Sequence, residues 1–200
     1  MLRGLNLEVR RGEFLAVMGE SGCGKSTLLH VLGLMAGADE GVVEIDGRDV
    51  TALGESARAA IRRRQIGFVF QRFNLISVLD GRANVELSLR LRGLSPTGRI
   101  EPMLEAMGVA DVAFRKPGKL SIGQQQRLAV ARAMAHEPAI LLADEPTGSL
   151  DSRNATELLG LLKQANAQRN QTIVMITHSR EAASSASRVV TMKDGVILGQ

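Results

Sequence analysis

The nine residues from Gly19 to Thr27, GESGCGKST, fit the phosphate-binding spacing G-x-x-x-x-G-K-S/T and stand between an apolar run and a helical one. Glycines at 19, 22 and 24 let the backbone bend tightly and approach oxygen atoms, and the N–H groups of Glu20, Ser21 and Cys23 complete an anion-binding turn. Lys25 is long enough to reach β- and γ-phosphates, and the Ser26 hydroxyl suits Mg²⁺. Further on, Ile140 to Glu145 reads ILLADE, an apolar run ending in two carboxylates. A metal-bound phosphate meeting an attacking water needs such a pair, with Asp144 on the metal and Glu145 polarising the water. His178 follows the next apolar run and is in position to contact the γ-phosphate. These features predict a nucleoside triphosphate site that also holds Mg²⁺.

The elements that must position these residues follow from periodicity. Phe14 to Met18 reads as a buried parallel strand delivering the loop, and Ser26 to Leu32 as the helix that follows it. Leu5, Leu7 and Val9 alternate with Asn6, Glu8 and Arg10, the pattern of a half-buried strand. Val42 to Ile45 predicts another strand, closed by Asp46-Gly47, and Ile66 to Phe70 a third that delivers Gln71 where open α/β sheets present ligand-facing side chains. Helices are expected over Val85 to Arg92, Ile100 to Met107, Gln124 to Ala135 and Arg153 to Gln168, and buried strands over Ile140 to Asp144 and Thr172 to Ile176. Alternating strands and helices imply an α/β fold with a mostly parallel sheet in a single domain. Residues 1–71 and 120–200 form its core and 72–119 an inserted helical subdomain.

Composition limits the partners. A chain of 200 residues, 44% of them hydrophobic, buries a substantial core. The 25 Lys and Arg barely outnumber 21 Asp and Glu and are scattered, so no nucleic-acid partner is expected, and Arg62-Arg63-Arg64 reads as a solvated helix end. No apolar run approaches the roughly 20 residues of a membrane span, and no signal-peptide layout is evident. Cys23, the only cysteine, reads as a small loop filler and agrees with a reducing compartment.

LSIGQQQR at Leu120 to Arg127 resembles the signature motif of ATP-binding cassette (ABC) ATPases, and DEPTGSLD follows at Asp144 to Asp151. Phosphate loop, Gln71, signature, carboxylates, Ser149-Leu150-Asp151 and His178 occur in that family's order, from about Leu2 to Gly199. The resemblance implies a P-loop ABC fold with an antiparallel N-terminal β subdomain. It also implies a head-to-tail homodimer with ATP between one protomer's loop and the other's signature. Ser121, Gly123, Gln124 and Asp151 would join the nucleotide site, and Gln71 would touch Mg²⁺ or the attacking water and begin the segment facing a transmembrane permease subunit. The protein would then sit peripherally on the cytoplasmic side of the inner membrane. STLLHVLGLM, FQRFNLISVLDGRANVELSL and ADEPTGSLDSRN are similar to the lipoprotein-releasing and macrolide-exporter ATPase group, whose membrane partners work by mechanotransmission.

The chain departs from the family pattern in several places. Ile122 replaces a glycine of the signature, and its β-branched side chain is expected to obstruct close approach or forbid a φ > 0 conformation. Neither Tyr nor Trp occurs, so the aromatic residue on which the family stacks adenine lies before Met1 or is absent. Ser179 takes the place of a common aspartate. An active transport ATPase, a degenerate subunit that only binds and dimerises, and an ABC ATPase outside transport are the readings these residues leave open.

Overall fold

The computed structural model describes residues 2–198. In chain order its strands are β1 (Phe14–Met18), β2 (Glu44–Ile45), β3 (Arg48–Asp49), β4 (Ile66–Val69), β5 (Ile140–Asp144), β6 (Thr172–Thr177), β7 (Arg188–Lys193) and β8 (Val196–Leu198). Its helices are α1 (Lys25–Leu32), α2 (Glu55–Gln65), α3 (Gly81–Leu91), α4 (Ile100–Ala106), α5 (Ile122–Met134), α6 (Ser152–Arg169) and α7 (Arg180–Ala183).

Six strands form one sheet in the order β4-β5-β6-β1-β7-β8, parallel except for β8 against β7. A parallel sheet is covered on both faces, which is why its central strands carry no polar alternation. Phe14 and Ala16 of β1 point into one core layer with Ile173 and Met175, while Leu15 and Val17 point into the other with Val174 and Ile176. Leu128, Val130 and Ala131 of α5 and Leu158 and Leu162 of α6 fill the first layer, and Leu28 and Leu29 of α1 the second.

Register decides where the chemistry appears. Met18 lies opposite Thr177, Asp144 opposite Ile176, and Val69 opposite Ala143. Gly19, Gln71, Glu145 and His178, which follow these strand ends, therefore leave the sheet along one carboxyl edge, where open α/β sheets bind ligands.

The alternation over Leu5 to Val9 is real, with Leu5, Leu7 and Val9 half-buried against the second core layer and residues 6, 8 and 10 exposed, but it forms no strand. The Arg3 N–H instead bonds Gly195 O beside the β7–β8 turn. The N-terminal antiparallel β element is the β2–β3 pair alone among the described residues, closed by Asp46 and Gly47 at φ 52° and 72°. Those paired positive angles suit a tight hairpin turn.

Between β4 and α5 the expected helices appear as α3 and α4, followed by 3₁₀ turns at Ala110–Val112 and Pro117–Lys119. Asp80 starts α3 by accepting the Ala83 N–H at 2.7 Å. Val85, Leu89, Ile100 and Leu104 share one core layer with Leu128 and Val130, so α5 packs on the insert and the sheet together. Arg62 is less solvated than expected: it donates to Leu34 O at 2.6 Å and to Glu55 at 2.5 Å from the last turn of α2, while Arg63 and Arg64 are exposed. No helix among the described residues is long and apolar enough to cross a membrane.

Just past the end of α5, His136 is buried. That burial, then the Arg92 guanidinium, holds its pKa down to about 4 against a smaller opposing pull from the Ile66 backbone. Above pH 6.5 folded and unfolded chains both carry neutral imidazole. As pH falls from 6.5 toward 4 only the unfolded chain takes up the proton, so stability declines by up to about 3 kcal/mol and then levels. Urea titrations at pH 7 and pH 5 should show this loss shrinking in His136→Leu. An equal pH dependence in both proteins would remove His136 as its source.

Candidate functional site

The phosphate loop turns from β1 into α1 through Gly22 (φ 81°) and Gly24 (φ 106°), conformations that favour glycine. Gly19 is required for another reason: a Cβ there would stand 2.3 Å from Met192 O. Glu20, Ser21, Gly22 and Ser26 are exposed at the mouth of the turn, Thr27 is half-buried, and Cys23 is buried as the expected filler. The first turn of α1 contains no acidic side chain, so the positive end of its dipole stays unneutralised. Lys25 is folded back over the loop, its Nζ donating to Gly19 O and Glu20 O at 2.7 Å each, 3.8 Å from Cys23 Sγ.

The carboxylates and the histidine meet. Glu145 Oε1 lies 2.9 Å from His178 Nδ1, and Oε2 takes a longer 3.4 Å bond from the His178 backbone N–H. With Glu145 ionised, Nδ1 carries the proton and Nε2 faces outward on a side chain 70% exposed. Glu145 adopts φ 46°, a strained angle for a non-glycine residue, held by its own N–H on Ile176 O at 3.0 Å. Ser179, where the family has aspartate, accepts the Ala182 N–H at 3.1 Å and so caps α7.

Asp144 is half-buried and its carboxylate accepts no hydrogen bond among the described residues. Burial, then the neighbouring Glu145, raises its pKa, with His30 and Lys25 pulling the other way. Neither cation forms an ion pair with it among the described residues. No cluster of three or more His, Cys, Asp or Glu suited to a metal exists among the described residues. Together with the Ser26 hydroxyl this hard-oxygen donor set fits Mg²⁺, which binds through one or two carboxylates plus substrate phosphates rather than an all-protein cage. Gln71 is exposed and its amide lies over Gly148, where an added Cβ would come 3.1 Å from Nε2.

Ser121, Gly123, Gln124 and Asp151 form a second group, with no hydrogen bond to residues 19–26 among the described residues. Ser121 caps α5 in a reciprocal box: its Oγ accepts the Gln124 N–H at 3.2 Å and Gln124 Oε1 accepts the Ser121 N–H at 2.9 Å. The helix begins at Ile122, two residues earlier than expected, and Ile122 has no positive φ. The backbone objection to a β-branched residue therefore falls away; the side chain stands 51% exposed at the helix start. Asp151 is exposed and caps α6, its two oxygens accepting from Asn154 N and Asn154 Nδ2 at 2.8 Å each. Those bonds hold its pKa down.

Gln126 was not singled out in the sequence. It is fully buried on α5, and Nε2 donates to Pro146 O at 2.8 Å and to Phe70 O at 3.5 Å. It thereby joins the signature helix to the residue after Glu145 and the residue before Gln71. A glutamine at a core-facing position of an otherwise apolar helix face was the available signal.

Comparison with known proteins agrees with this geometry. The ABC transporter family model matches residues 2–148. The macrolide export ATP-binding/permease protein MacB of Chlorobium luteolum is 47% identical over 199 residues, covering 98% of this chain and 30% of MacB. The chain thus spans about a third of the length of the macrolide exporters it matches. The bacitracin export ATP-binding protein BceA of Halalkalibacterium halodurans is 40% identical over 203 residues, covering all of this chain and 80% of that one. A solved structure of the ATP-binding cassette MJ0796, dimeric and bound to ADP and Pi, superposes with a TM-score of 0.90 at 40% identity, covering 99% of this chain and 88% of that one. With its phosphate loop, paired carboxylates and capped signature helix on a mostly parallel sheet, the chain belongs to the ABC transporter family.

Proposed function

We propose that the chain binds and hydrolyses ATP for a transporter. It works as a head-to-tail dimer in which each nucleotide lies between one protomer's phosphate loop and the other's Ser121–Gly123. The observation that carries this reading is the 2.9 Å pair of Glu145 and His178, which leaves the sheet at the same edge as the loop. An intact pair disfavours a degenerate subunit, and the exporters among the relatives favour transport.

In this reading the loop N–H groups and Lys25 bind the β- and γ-phosphates. Glu145 Oε2, the less committed oxygen, takes the proton from the attacking water while His178 Nδ1–H holds Oε1, and Nε2 is left for the γ-phosphate. Gln71 orients the water. Ser26, Asp144 and Gln71 would hold Mg²⁺, which supplies charge neutralisation among the phosphate oxygens. Residues 72–119 act as a helical unit that passes dimer closure to a membrane permease subunit, with the chain peripheral on the cytoplasmic face. A groove of about 510 Å³ lies just after Gln71, lined by Met35, Phe68, Ile76, Leu91, Arg92 and Arg132, and suits that partner. Similarity to macrolide and bacitracin exporters supports the mechanotransmission group.

Steady-state Mg²⁺-ATPase activity measured against protein concentration tests the reading. Turnover per protomer should rise with concentration. Turnover independent of concentration would overturn the dimer, and no turnover at any concentration would overturn hydrolysis by this chain alone.

A further inference from the structure

We propose that Asn154 is a positioning residue that locks the start of the signature helix to Asp151, so that the two parts of one protomer that meet the other's nucleotide move as one body. The proposal rests on the head-to-tail reading above.

As the third residue of α6, Asn154 has its backbone N–H on Asp151 Oδ1 at 2.8 Å, and that bond alone satisfies the cap. The side chain adds something the cap does not need: Nδ2 donates to Asp151 Oδ2, also at 2.8 Å. The donor end must face the carboxylate, which fixes the amide orientation and turns Oδ1 the other way. There it meets Gly123. A Cβ built on Gly123 would lie 2.1 Å from Asn154 Oδ1 and 2.6 Å from its Cγ, so the buried glycine is the only residue type this arrangement admits. No hydrogen bond joins Asn154 to the Gly123 N–H among the described residues, which leaves that donor at the helix N-terminus for a phosphate. A second tie runs parallel to the first: Glu157 of α6 accepts from Arg153 at 3.1 Å and lies 3.5 Å from Arg127 of α5.

The glycine at 123 is thus demanded from within the protomer, by Asn154, as well as by any nucleotide outside it. If Asn154 is the obstacle, removing it makes room for a methyl group. Kinetics and dimerisation of Gly123→Ala, Asn154→Ala and the double variant separate these origins. Gly123→Ala should lower kcat at least tenfold, and adding Asn154→Ala should raise it again to the level of Asn154→Ala alone. Asn154→Ala alone should lower kcat severalfold and shift the concentration dependence to higher protein, with KM for ATP and thermal midpoint unchanged, because the phosphate loop is untouched.

Failure of the double variant to recover, or an Asn154→Ala enzyme with wild-type kcat and concentration dependence, would overturn the lock while leaving the dimer reading intact. A wild-type protein whose turnover does not depend on concentration would overturn the dimer reading, and the lock's role with it. Should Gly123→Ala fail to fold, Asn154→Ala and the shape-matched Asn154→Asp still decide. The aspartate keeps the contact with Gly123 but sets a carboxylate against Asp151, so a lock predicts lower kcat in both.

Discussion

Glu145→Gln should bind ATP as well as the parent chain, hydrolyse it about 10²–10⁴ times more slowly, and accumulate as a nucleotide-bound dimer. The expectation follows from what the substitution keeps. Glutamine retains a carbonyl oxygen to accept from His178 Nδ1, now 2.9 Å from Oε1, and it tolerates the φ of 46° no worse than glutamate. Neither the loop nor Lys25 is touched, so KM for ATP should hold. What disappears is the ability to take a proton at Oε2 and one negative charge beside Asp144, whose pKa is raised first by burial and then by that charge. Losing that repulsion should, if anything, ease nucleotide binding. Turnover and size-exclusion elution with ATP check the prediction together. Near-parental kcat would take the base role from Glu145. A comparable loss with no trapped dimer would mean that the dimer itself, rather than the proton transfer, was damaged. His178→Ala serves as the comparator: it frees Oε1 but leaves the base, so its loss of kcat should be smaller and its dimer shorter-lived.

The candidate site's edge was largely legible because its motifs carry their own geometry. GESGCGKST requires a turn between strand and helix, and ILLADE requires a buried strand ending in charge, so the register that gathers Gly19, Glu145 and His178 follows once the strands are parallel. What periodicity could not supply was pairing. Leu5, Leu7 and Val9 alternate as a strand would and half-bury the expected side chains, yet among the described residues they belong to no strand. Helix α2 is legible only at its basic end, Arg62-Arg63-Arg64: only Ile61 is buried along it, and Gly54 gives it no side-chain cap, so the sequence carries neither an apolar stripe nor a start signal. Side-chain bonds at long sequence separation were the least legible. Nothing in the run Gln124-Gln125-Gln126 says that the first closes a cap while the third reaches Pro146 and Phe70. Likewise Asp151, expected at a nucleotide, is committed to Asn154 within its own helix, a use that aspartate before a helix serves in any protein.

Lys25→Ala should abolish ATPase activity and weaken ATP binding about 10- to 100-fold, the equivalent of the roughly 1.5–3 kcal/mol carried by hydrogen bonds to a charged group. The structure adds a complication to this expectation. Lys25 is only 8% exposed and its ammonium donates to Gly19 O and Glu20 O, so it also acts as a strut inside the loop. Alanine removes both the phosphate's counter-charge and that strut, and its small side chain leaves space beside Cys23. Lys25→Met separates the two effects, since its unbranched chain fills much of the same volume but offers no donor or charge. If the charge on the phosphate is what matters, both variants lose the ATP-induced rise in thermal midpoint and all turnover, while methionine keeps more of the stability without nucleotide than alanine does. If the strut were the whole contribution, methionine would fare no better than alanine without nucleotide, and a loop that still forms would still be stabilised by ATP. A Lys25→Met protein with ATPase near the parental rate would remove the ammonium from the reaction and leave the loop N–H groups, the α1 dipole and His178 Nε2 as the phosphates' partners on this protomer.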